Sequence, residues 1–137
     1  MTVFVDTSVW FSAVNGNDAK HARAKEILTA ADSLVTSNIV LAETWRLIHH
    51  RIHYHAAESF WSAVRSGAAQ IEMAGAADME AAWLIGKRFA DQDFSLADRT
   101  SFAMMERLHI YSAASFDGHF AIYRFGGRKS GAFEIVR

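Results

Sequence analysis

Four acidic residues stand at the predicted ends of strands or starts of helices, where a fold can bring them together: Asp6, Glu43, Asp98 and Asp117. Carboxylates that meet in space repel one another, so such a group is stable mainly when a divalent cation neutralises it. Oxygen ligands of this kind suit Mg²⁺, with Mn²⁺ as the alternative. The four residues therefore predict a metal site for phosphate chemistry, in which the cation acidifies water and stabilises negative charge.

Asp6 and Asp117 each follow a predicted strand. Ligands of open α/β sheets bind beyond the carboxyl ends of the strands, which favours a functional role for both residues. The alternatives are local: Asp6 can cap the helix that follows it, and Asp117 with Gly118 can form an ordinary turn. Ser115, two residues before Asp117, is placed to hydrogen-bond a carboxylate.

Glu43 and Asp98 fall on predicted helices. Glu43 shares a helix face with apolar neighbours such as Val40, so we expect a carboxylate on the apolar stripe that needs a cation, a proton or hydrogen bonds. An ion pair with Arg46 or Arg51 is the alternative. Asp98 stands three residues after Ser95, which is the spacing of a capping box. Capping and metal binding are compatible there, because a helix N-terminus also attracts charged ligands.

Short apolar runs alternate with helical patterns along the chain. We predict strands over 3–5, 34–36, 69–73, 110–114 and 133–136. We predict helices over 19–31, 38–50, 55–65, 76–89 and 95–108, and a further helix after Asp6 that a hydroxyl residue caps. This alternation indicates an α/β fold with a mostly parallel sheet. Because the chain has no linker or repeat, residues 1–137 are predicted to form one domain.

The composition is that of a folded protein inside the cell. Hydrophobic residues make up 51% of the 137 positions, which argues against disorder. No apolar run approaches the roughly 20 residues of a membrane span, and the start lacks a signal-peptide layout, so we expect a cytoplasmic protein without membrane contact. The absence of cysteine excludes disulfides and thiolate zinc sites. The net charge is -1, but local clusters such as Arg46 and Arg51 can attract phosphate.

The order of the motifs resembles that of PIN-domain ribonucleases, and most closely that of VapC-like toxins of bacterial toxin–antitoxin pairs. The resemblance covers nearly the whole chain. It is carried by four stretches: Phe4–Trp10 (FVDTSVW), Leu41–Thr44 (LAET), Phe94–Met105 (FSLADRTSFAMM) and Ser115–Asp117 (SFD).

This resemblance implies a three-layer PIN-like fold, with a central, mostly parallel sheet flanked by helices. It implies a Mg²⁺- or Mn²⁺-dependent endoribonuclease with Asp6, Glu43, Asp98 and Asp117 as the acidic active-site quartet. Asp6 and Asp98 would be the main metal ligands. The expected partners are an RNA substrate, a cognate antitoxin protein and a second copy of the chain in a homodimer.

Three other functions compete with this one. A receiver-like phosphoacceptor would need an acidic pair near Asp6 and a late lysine, and the chain has no lysine between Lys87 and Lys129. A haloacid-dehalogenase phosphatase would need Asp at position 8, where Ser8 stands. A non-catalytic RNA-binding or scaffold module on the same fold stays open. Transfer, ribosomal and messenger RNA all stay open as substrates.

Several histidines and aromatic residues carry weaker signals. His49 and His53 have the i, i+4 spacing of a zinc pair but lack a third ligand, and His119 is expected to be a loop residue and not a catalytic acid. Trp83 and Leu84 are expected on the apolar side of their helix. Five further aromatic residues belong either to the core or to a groove for a partner helix: Trp10, Phe11, Trp45, Phe60 and Trp61.

Overall fold

Five strands, all paired in parallel, form the central sheet. The computed structural model describes residues 1–137. The strands are β1 (Thr2–Val5), β2 (Ser33–Ser37), β3 (Gln70–Glu72), β4 (Ser112–Ala114) and β5 (Glu134–Val136). Their spatial order is β3-β2-β1-β4-β5. The chain therefore winds outward from β1 to β3 and then returns to the other side of β1, which leaves a topological switch point between β1 and β4.

Helices connect and flank these strands. They are α1 (Thr7–Val14), α2 (His21–Ala30), α3 (Asn38–Arg51), α4 (Tyr54–Ala63), α5 (Ala76–Arg88), α6 (Leu96–Leu108) and α7 (His119–Ile122). A π-helical turn, Val64–Ala68, ends α4 near the predicted stop, and Gly67 there has a φ of 111°, which favours glycine. The predicted α/β fold, with a mostly parallel sheet flanked by helices, is confirmed.

The core lies around β1 and the helices that pack on it. Val3, Phe4 and Val5 are all buried, as expected for a central strand covered on both faces. Phe102 of α6 stacks on Tyr123 at 4.3 Å between ring centroids. Each buried Phe of this kind contributes about 2–3 kcal/mol, so this packing fixes α6 against the chain that follows β4.

An ion pair joins α5 to α6. Arg107 donates from Nε to Oδ1 of Asp78 at 2.8 Å and from Nη2 to Oδ2 at 3.0 Å. Asp78 is buried, and its carboxylate also accepts the backbone N–H of Gly75 at 3.1 Å, which closes the N-terminus of α5. The hydrogen bond from Arg107 lowers the pKa of Asp78 despite its burial.

The prediction that Trp83 and Leu84 lie on the apolar side of their helix is wrong. Trp83 and Leu84 are 57% and 53% exposed, because α5 turns Ala82 and Ile85 toward the core instead. Trp10 and Phe60 are buried and pack edge-to-face at 5.6 Å, so they belong to the core. None of the helices combines the length and the apolar character that crossing a bilayer requires.

Candidate active site

Asp6 is the first residue after β1, and its side chain caps α1. The cap is therefore Asp6 itself and not the hydroxyl residue that was expected. Its Oδ2 accepts hydrogen bonds from the hydroxyls of Ser8 at 2.8 Å and Ser115 at 2.9 Å, and from the backbone N–H of Ser8 at 3.5 Å. Ser115 directly follows β4, so these bonds join the ends of two neighbouring strands at the switch point.

The Asp6 carboxylate is only 5% exposed. Burial raises the pKa of Asp6 to about 6, and the negative charge of Asp98 raises it as well, although the hydroxyl hydrogen bonds of Ser8 and Ser115 work in the opposite direction. The effect of Asp98 on the pKa of Asp6 indicates that the two carboxylates interact electrostatically.

Asp98 closes the capping box predicted at the start of α6. Its Oδ2 accepts the backbone N–H of Ser95 at 3.1 Å, and Oγ of Ser95 accepts the backbone N–H of Asp98 at 3.0 Å. A second donor reaches the same oxygen: Nδ1 of His119 lies 2.7 Å from Oδ2. The carboxylate is thus a helix cap and a member of the acidic cluster at once.

Asp117 lies in the turn after β4, and His119 begins α7. Oδ1 of Asp117 accepts the backbone N–H of His119 at 2.9 Å and lies 3.5 Å from Nδ1 of the same residue. His119 was expected to be a loop residue, but it is the first residue of α7 and contacts both Asp98 and Asp117. The only signal for it in the sequence is its position two residues after an aspartate at a strand end.

The charges around His119 favour its protonated form. Partial burial opposes protonation, but the hydrogen bond to Asp98 and the negative charges of Asp117 and Asp98 outweigh it and raise the pKa of the ring. The two carboxylates thus make the imidazole easier to protonate than a free histidine.

Three carboxylates share one pattern, which is that hydrogen bonds hold a single oxygen. The bonds described above end on Oδ2 of Asp6, Oδ2 of Asp98 and Oδ1 of Asp117. No side-chain donor reaches the second oxygen of any of the three. One atom each from Asp98, Asp117 and His119 lies within 4.8 Å of the others, a group that does not include Asp6. Ser115 joins Asp6 to this group, because its hydroxyl donates to Asp6 and accepts the backbone N–H of Asp117. An oxygen-rich donor set of this kind fits a hard divalent cation.

Glu43 does not lie where its pattern predicted. The buried face of α3 carries Val40, Thr44 and Ile48, and Glu43 is exposed beside it. Its side chain instead lines a surface cavity of about 270 Å³ together with three neighbours on α3: Arg46, Leu47 and His50. A link to the acidic site passes through the next residue, because Oγ1 of Thr44 donates to Oγ1 of Thr7 at 3.2 Å.

Comparisons with known proteins identify the family and the fold of this chain. The PIN domain family matches residues 3–126. The 23S rRNA-specific endonuclease VapC20 of Mycobacterium tuberculosis is 37% identical over 124 residues, covering 90% of this chain and 95% of the relative. Ribonuclease VapC26 of the same organism is 28% identical over 137 residues, covering 98% of this chain and 99% of the relative.

Solved structures give the same result. The crystal structure of Mycobacterium tuberculosis VapC20, described as a Sarcin-Ricin loop cleaving toxin, superposes with a TM-score of 0.80 at 36% identity, covering 85% of this chain and 90% of that one. VapBC2 of Rickettsia felis, bound to a promoter DNA fragment, shares the fold, with a TM-score of 0.65 at 14% identity, covering 86% and 89%. The resemblance drawn from the motifs is thus confirmed, and the chain belongs to the PIN domain family.

Proposed function

We propose that this protein is a metal-dependent endoribonuclease that hydrolyses RNA phosphodiesters, and that it is the toxin of a toxin–antitoxin pair. The observation that carries the proposal is the grouping of three carboxylates at the switch point: His119 contacts both Asp98 and Asp117, and Ser115 bonds Asp6 and the backbone of Asp117. Two relatives that are named ribonucleases, one of them 37% identical, support the same activity.

The cation of this site is Mg²⁺, with Mn²⁺ as the alternative, and Asp6 and Asp98 are its main ligands. When bound, it would acidify the attacking water and stabilise the charge that develops on the phosphate. Asp6 contributes a buried carboxylate that hydroxyls hold in one orientation. Glu43 and Asp117 would act through waters, position a second ion or orient the attacking water. Hydrolysis of this kind leaves a 5′-phosphate and a 3′-hydroxyl.

RNA reaches the site along α3. Arg46 and His50 line the same cavity as Glu43, one and two helical turns away from it. Arg51 is also exposed at the end of this helix. These side chains provide local positive charge on a chain whose formal net charge is -1, and such charge attracts a phosphate backbone.

The antitoxin covers an apolar groove between α3 and α4. The groove has a volume of about 340 Å³, and five residues line it: Asn38, Leu41, Ala42, Trp45 and Trp61. Trp61 is 45% exposed there, and an exposed apolar surface of this kind is typical of a protein-binding site. We also propose a homodimer, and a cytoplasmic location where RNA is available.

Cleavage of RNA by the purified protein tests the activity. The protein is incubated with total RNA in Mg²⁺, in Mn²⁺ and in a chelator, and the product ends are mapped. We expect cleavage in Mg²⁺ or Mn²⁺ and none in the chelator, and we expect the products to carry 5′-phosphate ends. The 23S rRNA is the first defined substrate to try, because the relative VapC20 is named for it. RNA binding without cleavage in either metal would favour the non-catalytic module instead.

A further inference from the structure

The ring of His119 stands between two carboxylates from different elements. Nδ1 lies 2.7 Å from Oδ2 of Asp98 at the start of α6 and 3.5 Å from Oδ1 of Asp117 after β4. We infer that His119 is a positioning residue, which holds these two carboxylates at the spacing and orientation in which they receive the cation. The inference rests on the proposed function, since it concerns the same site.

The contact between His119 and Asp98 determines which carboxylate oxygen of Asp98 is available to a cation. The backbone N–H of Ser95 and Nδ1 of His119 both point at Oδ2. With His119 removed, Ser95 alone would hold the carboxylate, and the side chain could rotate. With both donors present, Oδ1 is left free in one defined orientation.

The ring of His119 is itself held in place. It packs edge-to-face against buried Phe94 at 5.3 Å between centroids. The next residue, Phe120, is fully buried and lies 4.9 Å from the ring of Phe102 on α6. Packing therefore fixes α7 and the imidazole before any ligand arrives, as a preorganised site requires.

The positioning role of His119 depends on an N–H donor at Nδ1 and not on the charge of the ring. An N–H at Nδ1 is present in the charged ring and in one neutral tautomer, and either form can donate to Asp98, while the backbone N–H of His119 holds Asp117. In metal sites, groups that hold the ligands by hydrogen bonds typically change metal affinity by 10- to 100-fold when removed. The same order of effect is expected here.

The test measures the affinity for Mn²⁺ alone, by calorimetry and electron paramagnetic resonance, without RNA. His119→Phe keeps an aromatic ring against Phe94 and removes the donor. His119→Asn keeps a donor close to the position of Nδ1. His55→Phe, at an exposed position on α4, is the matched control. We expect His119→Phe to bind Mn²⁺ at least about tenfold more weakly than the wild type, His119→Asn to recover most of the affinity, and the control to be unchanged.

Two outcomes would overturn the inference. One is unchanged or tighter Mn²⁺ binding in His119→Phe, and the other is binding by His119→Asn that is as weak as in His119→Phe. If His119→Phe does not fold, His119→Ala removes the donor without a large side chain, and the same expectation applies. A wild type that binds Mn²⁺ but never cleaves RNA would contradict the proposed function, whereas the binding data decide the role of His119 separately.

Discussion

At the scale of single residues, Asp6 shows how a functional carboxylate can weaken the fold, because it is buried. Folding removes its carboxylate from water, and two serine hydroxyls compensate this only in part, because the pKa of Asp6 still rises to about 6. A buried charge that weakens the fold is typical of a functional position. This effect also makes Asp6 a sensitive residue to test.

We expect Asp6→Asn to abolish metal-dependent cleavage and to stabilise the metal-free protein at pH 8. The pKa of Asp6 is raised from 3.8 to about 6 by burial, so the folded state binds this proton more tightly. The resulting stability is present below pH 3.8 and is lost as the pH rises through 6, which amounts to about 3 kcal/mol. Urea unfolding in a chelator at pH 4 and pH 8 measures the difference.

The asparagine keeps an oxygen that can accept from Ser8 and Ser115, so the gain should appear mainly at pH 8. Asp91→Asn, at an exposed position between α5 and α6, is the control and should show no such gain. Full cleavage by Asp6→Asn with metal supplied would contradict the site assignment.

Ser95 and Asp98 separate the cap from the chemistry. We expect Asp98→Gln to keep most of the stability, because glutamine can serve in a capping box, and to lose nearly all cleavage, because a neutral amide is a poor metal ligand. Ser95→Ala should show the opposite result: it should lose about 1 kcal/mol of stability and keep much of the activity. Thermal melts and the RNA assay on both variants give the comparison, and strong cleavage by Asp98→Gln would exclude the ligand role.

At the scale of elements, the pair of α5 and α6 is held at its far end by Asp78 and Arg107. This ion pair lies toward the C-terminus of α6, whereas Asp98 lies at its N-terminus. One helix therefore carries the catalytic candidate at one end and a structural ion pair at the other. Substitutions at the two ends should affect different properties.

We expect Asp78→Asn to destabilise the protein by about 1.5–3 kcal/mol and to leave RNA cleavage intact, because it weakens a charged hydrogen bond at a buried position. The pKa of Asp78 is lowered by Arg107, so this stability is present above the unfolded pKa and is lost as the pH falls through the folded one. Urea unfolding at neutral pH, with exposed Glu80→Gln on α5 as the control, measures the effect. A large loss of cleavage in a folded Asp78→Asn would contradict this separation.

At the scale of the whole molecule, cation binding should couple the separate elements of the site. We expect millimolar Mg²⁺ or Mn²⁺ to raise the melting temperature, because a ligand that binds only the folded state stabilises it. The shift should disappear in the Asp6→Asn, Asp98→Asn double variant and persist in Asp91→Asn. A wild type that melts at the same temperature with and without metal would argue against a site that fills before RNA binds.

Local patterns in the sequence were sufficient for some of these features. The apolar run of β1 and the capping box of Ser95 and Asp98 depend on neighbouring residues, and both are present as predicted. The exposure of Glu43 was missed, because tertiary packing decides which helix face is buried. The buried face of α3 includes Thr44, whose hydroxyl contacts Thr7, so polarity alone could not identify it.

The link through His119 was missed for a related reason. Its contact with Asp98 spans 21 residues of sequence and depends on the turn after β4 and on the packing of α7. Neither has a periodic pattern in the sequence. The parallel sheet was predictable because the alternation of strands and helices recurs along the whole chain, whereas this single long-range contact leaves no such repeat.

The pairing of β1 with β4 also sets the time at which the site can form in the cell. Asp6 lies near the start of the chain, and Ser115, Asp117 and His119 lie after β4. Since translation proceeds from the N-terminus, a nascent chain that ends before β4 has Asp6 and Asp98 but lacks the hydroxyl of Ser115 and the ring of His119, which contact them in the finished protein. The acidic site therefore cannot assemble until β4 and the residues up to His119 have been translated.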